Sequence, residues 1–79
     1  MGSVEISRRL MTAVLRKQTR ENRRIENREV AKEVYKRAGQ RPPSAAAISR
    51  YLSGHRGVPV EMLPHFADYL GADLRWHAG

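Results

Sequence analysis

The sequence predicts an all-α fold of four to five helices in a single domain spanning residues 1–79, and three observations carry this. Apolar residues recur at helical spacing in four segments, no segment alternates with the period of two that marks a half-buried strand, and glycine or proline punctuates the gaps. Seventy-nine residues leave room for one domain with a small core.

The first helix is expected from Ser3 to about Arg24, with Ile6, Leu10, Ala13 and Val14 as its buried stripe. Arg9, Arg16, Arg20 and Arg23 follow a different line, the last three lying seven, eleven and fourteen residues after the first. They share one narrow face, which is either a solvated surface or a basic ridge lying along phosphates. Asn27 suits the N-cap of a second helix, with Glu29 favoured by the dipole in its first turn. Val30, Ala31, Val34, Tyr35 and Ala38 form its buried face, and Gly39 ends it. "QRPP" (Gln40–Pro43) is a turn, because proline restricts both itself and the residue before it.

A third helix begins at Pro43 or Ser44 and ends at Gly54. With Ile48 at the centre of the buried face, Ala45, Tyr51 and Leu52 lie beside it, while Ala46, Ser49, Arg50 and Ser53 point away. The loop "HRGVP" leads into a fourth helix over about 59–71, where Pro59 fits the first turn. Leu63, Phe66, Ala67 and Leu70 form its stripe and Gly71 stops it, while Pro64 either kinks the helix or marks its start. In the tail, residues 72–79, Leu74 and Trp76 are the expected anchors.

Composition narrows the class. The absence of cysteine excludes disulfides and thiolate metal sites. Apolar runs are a few residues long, too short for a membrane span. Val4 to Leu10 is too polar for a signal-peptide core, and Ile6 stands where a myristoylation motif needs Ser or Thr. The expectation is a soluble cytoplasmic protein. Fifteen basic residues against eight acidic ones give a net charge of +7, and residues 1–41, with twelve basic and five acidic, carry all of it. Arginine outnumbers lysine twelve to three, and guanidinium suits bidentate phosphate contacts. The imbalance points to a polyanion, most simply nucleic acid, with a merely solubilising surface as the plain alternative.

Catalytic chemistry finds no foothold. His55, His65 and His77 are dispersed, without the paired spacing of a metal site. Glu61, Asp68 and Asp73 make no obvious acid–base pair, and no glycine-rich phosphate loop occurs. Tyr35, Tyr51 and Tyr69 sit at core-facing or flanking positions, which suits packing better than stacking on single-stranded bases. No catalytic residue, metal, cofactor or small-molecule effector is expected.

Helix, short turn, second helix with a polar outward face, then a basic loop is the order of a helix-turn-helix, here about 27–54 with 59–71 as the supporting helix. "AISRYLSGHRGVPVEMLPHFADYLGAD" resembles the second half of the lambda-repressor/Cro-type (XRE) DNA-binding domain. Ile-Ser followed by an aromatic residue, a Ser-Gly helix stop, an Arg-bearing loop, and a helix ending in Leu-Gly-Ala-Asp run from Ile48 to Asp73. The first half departs from that pattern: Ala31 is followed four residues later by Tyr35, and the five-residue linker Gly39–Pro43 makes this an elongated variant.

The resemblance implies a lambda-repressor-like domain whose third helix, residues 44–53, enters the major groove. On that basis Ala45, Ala46, Ser49 and Arg50 face base edges, Arg50 with the guanidinium that can bond guanine O6 and N7 together. Alanine would let the helix backbone approach closely, although it is also simply the best helix former, and Ala45 or Ala47 could instead face the core. Asn27, Arg28 and Ser44 at helix starts, and His55 and Arg56 in the following loop, match phosphate-contacting positions. Arg16 and Arg20 would add phosphate contacts from the first helix. The implied function is a sequence-specific regulator of transcription, repressor-like, binding double-stranded DNA as a homodimer on a palindromic operator in a bacterial or phage setting. Its dimer contact would come from the first helix, the fourth or the tail around Trp76, which could equally dock on its own core. The alternative is a protein-interaction adaptor, or a less selective nucleoid or RNA-binding protein, on the same fold.

Overall fold

A computed structural model describes residues 3–72. Four α-helices follow in order, α1 (Ser3–Glu21), α2 (Asn27–Arg37), α3 (Ala45–Ser53) and α4 (Leu63–Leu70), with a 3-10 turn at Val60–Met62. No strand occurs among the described residues, which are all-helical as the periodicity predicts. Leu74, Trp76 and the rest of 73–79 lie outside the described residues. The packed pairs are α1 with α3, α3 with α2, α2 with α4 and α4 with α1. The helices therefore alternate around the core, with α3 and α4 each bridging α1 and α2. Phe66, Leu10, Ile48, Met62, Leu70, Val30 and Val34 are completely enclosed. Tyr35 meets Phe66 edge to face, with centroids 6.3 Å apart, the arrangement that ring quadrupoles favour.

Several expectations need correcting. α1 stops at Glu21 rather than near Arg24 because Asn22 turns left-handed, at φ 53°. Asn22 N–H then reaches the Thr19 carbonyl at 3.3 Å and Arg23 N–H the Gln18 carbonyl at 3.1 Å. This is the helix stop usually built on glycine, and asparagine is among the few side chains that tolerate it. Arg23 consequently leaves the face it would have shared with Arg9, Arg16 and Arg20. The N-cap of α2 is Glu26, not Asn27, and no side chain closes that helix end. Buried Ile25 precedes the cap and buried Val30 follows one turn on, the positions of a hydrophobic staple. Seven residues, 38–44, join α2 to α3, longer than the expected five. Pro64 marks the start of α4, while Pro59 only begins the 3-10 turn before it. Ala45 is exposed rather than beside Ile48; Ala47 is the alanine packed on the core.

Two polar contacts bind the helices across the core. Buried Ser7 of α1 donates its hydroxyl to the Tyr51 carbonyl near the end of α3 at 2.5 Å. Tyr69 of α4 donates its hydroxyl to Glu29 Oε2 at 2.5 Å, and Arg23 grips both Glu29 oxygens at 2.8 and 2.7 Å. Lys17 and Arg37 lie over the Tyr69 ring at 4.7 and 5.0 Å. One side chain of α4 thus ties together α1, α2 and the segment between them. The Arg23 guanidinium, with the Tyr69 hydroxyl, lowers the Glu29 carboxyl to about 2, and burial and Glu29 raise the Tyr69 phenol.

Three outcomes are expected. Ser7→Ala leaves the Tyr51 carbonyl only the 3.3 Å bond from Gly54 N–H and should cost about 1 kcal/mol, lowering Tm by about 4–8 °C. An unchanged Tm in calorimetry would mean that the Ser7 contact contributes nothing to stability. Because the folded-state pKa of Glu29 lies below its ordinary 4.5, its contribution is complete above that pH and is lost as pH falls through about 2. Urea midpoints across this window should fall more steeply for the native chain than for Glu29→Gln; parallel curves would contradict the linkage. Finally, Asn22→Val should cost about 1–2 kcal/mol while Asn22→Gly is neutral or stabilising, as read from urea unfolding.

Candidate nucleic-acid interface

A helix of nine residues is too short to persist alone, so α3 depends on its ends and its buried side. Ser44 caps the start, its side chain accepting from Ala47 N–H at 3.1 Å, and Gly54 at φ 83° closes the end. A residue with a Cβ would be strained in that conformation, which is why glycine stands there. Ile48, Tyr51 and Leu52 are buried. That leaves Ala46, Ser49, Arg50 and Ser53 exposed on the opposite face, with Ala45 exposed at its leading edge. The outward face is small and almost featureless apart from Ser49 and the Arg50 guanidinium. Such a surface lets a helix approach another molecule closely while a single long side chain makes the directional contact.

The loop after α3 folds back onto it. Arg56 N–H donates to the Arg50 carbonyl at 3.2 Å, which brings exposed Arg56 beside the helix end. Ser53 Oγ lies 2.7 Å from His55 Nδ1 and 3.2 Å from the Arg50 carbonyl. The hydroxyl has one proton, so both contacts form when Nδ1 carries a proton of its own.

At the other end of α3, Ala45 joins Arg24, Ile25, Glu26, Asn27 and Arg28 around a cleft of about 360 Å³. Asn27 and Arg28 open α2 at this cleft, and no side chain caps that helix start, so the positive end of its dipole lies beside the cleft. Glu26 at the cleft is the one acidic group there. Sequence reasoning did not single out Arg24. Its position depends on the stop at Asn22, and the only available signal was the doubled arginine in "ENRRIEN".

Charge pairing separates the cations into two sets. Arg9, Lys17, Arg23 and Arg37 are held by Glu5, Glu21, Glu29, Glu33 and Asp68. The other ten described cations, among them Arg24, Arg28, Arg50 and Arg56 around α3, have no carboxylate within salt-bridge distance among the described residues. The structure thus brings Asn27, Arg28, Ser44, Ala45, Ala46, Ser49, Arg50, His55 and Arg56 to α3 and its two flanks. It does not bring Arg16 and Arg20 there: both line a separate cleft against the end of α4. Among the described residues no three His or acidic side chains come together as a metal site, and no helix is long and apolar enough to cross a membrane. No protein-family model, curated protein or solved structure matches this chain.

Proposed function

We propose that this domain is a sequence-specific double-stranded DNA-binding regulator of transcription, repressor-like, with α3 in the major groove. The observation that carries the reading is the unpaired Arg50 on the exposed, small-residue face of α3, with unpaired Arg28 and Arg56 at either end. In this arrangement Arg50 reads a guanine edge, Ser49 contacts a neighbouring base or phosphate, and the methyl groups of Ala45 and Ala46 meet the groove. Arg28, Arg56, Ser44, Asn27 and His55 hold the flanking phosphates, which set the register without carrying sequence information. The lambda-repressor/Cro-type resemblance of Ile48–Asp73 supports the same reading. One domain reads one half-site, so two copies bind an approximately palindromic operator. Exposed Val4, Met11 and Leu15 fall along one line of α1 and supply apolar surface for that pairing.

Binding to a randomised duplex pool at several salt concentrations tests this. Affinity should fall with log salt at a slope of roughly −0.9 per phosphate contacted, and one sequence should be strongly preferred. Equal affinity for all duplexes would replace the regulator reading with that of an unselective nucleoid protein. Arg50→Ala should lose about 1–3 kcal/mol of discrimination at one or two base pairs and leave non-specific binding intact. Arg28→Ala should weaken all sequences alike and reduce the salt slope by about 1. An unchanged preferred site in Arg50→Ala would remove α3 from the groove.

A further inference from the structure

α1 carries a second basic surface. Arg8, Arg9, Arg16 and Arg20 line a cleft of about 400 Å³ with Thr12 and Ala13, closed on the far side by Leu70, Gly71 and Ala72 at the end of α4. Ser7 marks the flank of α1 that meets α3. Arg16 is nine residues further on, which is about 180° around a helix turning by about 100° per residue. Arg9 and Arg20 fall within about 40° of Arg16 on the same count. α3 and α4 also occupy opposite places in the ring of packed helices. The cleft therefore opens away from the exposed face of α3.

Among the described residues most of its charge is unpaired. Arg9 is held by Glu5 at 3.4 Å, but among the described residues Arg8, Arg16 and Arg20 have no carboxylate within salt-bridge distance, and no acidic side chain lines the cleft. Guanidinium groups gathered over an apolar wall of low dielectric focus a positive field. Arg16 and Arg20 are one turn apart, a rise of about 6 Å, so they can engage successive anionic groups along a chain. A protein partner would need an exposed aromatic or aliphatic anchor to grip. Within this cleft the large apolar side chain, Leu70, is buried and the exposed lining is arginine, Thr12 and Gly71; exposed Leu15 lies outside it, in the adjoining groove that shares Arg16 and Arg20. Contacts of this kind are electrostatic and indifferent to sequence, which is how a phosphate backbone is held.

We propose that the α1–α4 cleft binds the sugar-phosphate backbone of a second nucleic-acid segment, so that a single domain docked through α3 engages two segments at once. The first segment rests on the proposed function; the second does not use any residue of α3.

Amide chemical shifts of the full chain, titrated past equivalence with a short mixed-sequence duplex at low salt, test both surfaces separately. Two sets of amides should move, one around 45–56 and one around 9–20 and 70–72, with two duplexes bound per protein. In Arg16→Ser/Arg20→Ser the second set should stay still and the stoichiometry fall to one, with affinity at α3 changed by less than about twofold. Arg28→Ala, which removes a phosphate contact at the start of α2, should weaken the first set and spare the second. The proposal is overturned if the second set does not move in the native chain, or if it moves with polyglutamate and not with the duplex. It is equally overturned if the double arginine variant loses the α3 response too, since the two surfaces would then be one interface. Silence of the α3 set alone would instead count against the proposed function.

Discussion

The exposed face of α3 exists because the rest of the helix is held so completely. Nine residues form too few backbone bonds to offset the cost of nucleation, so the helix is a product of its surroundings. Ser44 closes one end, the left-handed Gly54 the other, and Ser7 reaches across from α1 to the Tyr51 carbonyl between them. Each of these contacts uses the backbone or the inward side of α3. None draws on Ala46, Ser49 or Arg50, whose freedom is what a recognition surface needs. Rigid support on one side and unencumbered chemistry on the other are two results of the same arrangement.

Charge is divided on a similar principle. A net +7 suggests a diffuse basic surface, yet the acidic residues are concentrated on a few partners. Glu29 absorbs Arg23 and the Tyr69 hydroxyl, while Glu33 and Asp68 converge on Arg37. These pairs sit around Tyr69 and stabilise the junction of α1, α2 and α4. Unpaired arginines lie at the margins of α3 and in the α1–α4 cleft, on opposite sides of the molecule. Ion pairing in the scaffold thus occupies the cations around Tyr69 and leaves these arginines free, together with Lys32, Lys36 and Arg41, which likewise have no carboxylate within salt-bridge distance among the described residues.

Periodicity made most of the helical framework legible. The inward set Ile48, Tyr51 and Leu52 follows from a 3.6-residue repeat, as does the outward set Ala46, Ser49 and Arg50. What periodicity missed depends on single residues with no pattern around them. Asn22 ends α1 by adopting a conformation that composition assigns first to glycine, and that one turn removes Arg23 from the arginine line and positions Arg24. Ile25 and Ser7 are buried without belonging to an apolar stripe, Ile25 because it precedes the cap of α2 at the staple position with Val30, and Ser7 because it lies against α3. Arg16 and Arg20 could be placed on one face of α1 from spacing alone, but which neighbour that face meets is a property of the packing order.

That packing order also has a consequence for the growing chain. α1, α2 and α3 are synthesised first and contain every residue of the proposed base-reading face. The ring closes only through α4, and the hydroxyl that completes the Glu29 cluster belongs to Tyr69, in the last helix of the described residues. Phe66, the largest enclosed side chain, arrives with it. A nascent chain that has emerged only to α3 therefore carries its arginines on an unsupported scaffold, its core open on the side that α4 will cover. Competence to hold a rigid surface comes only after α4 has emerged and docked.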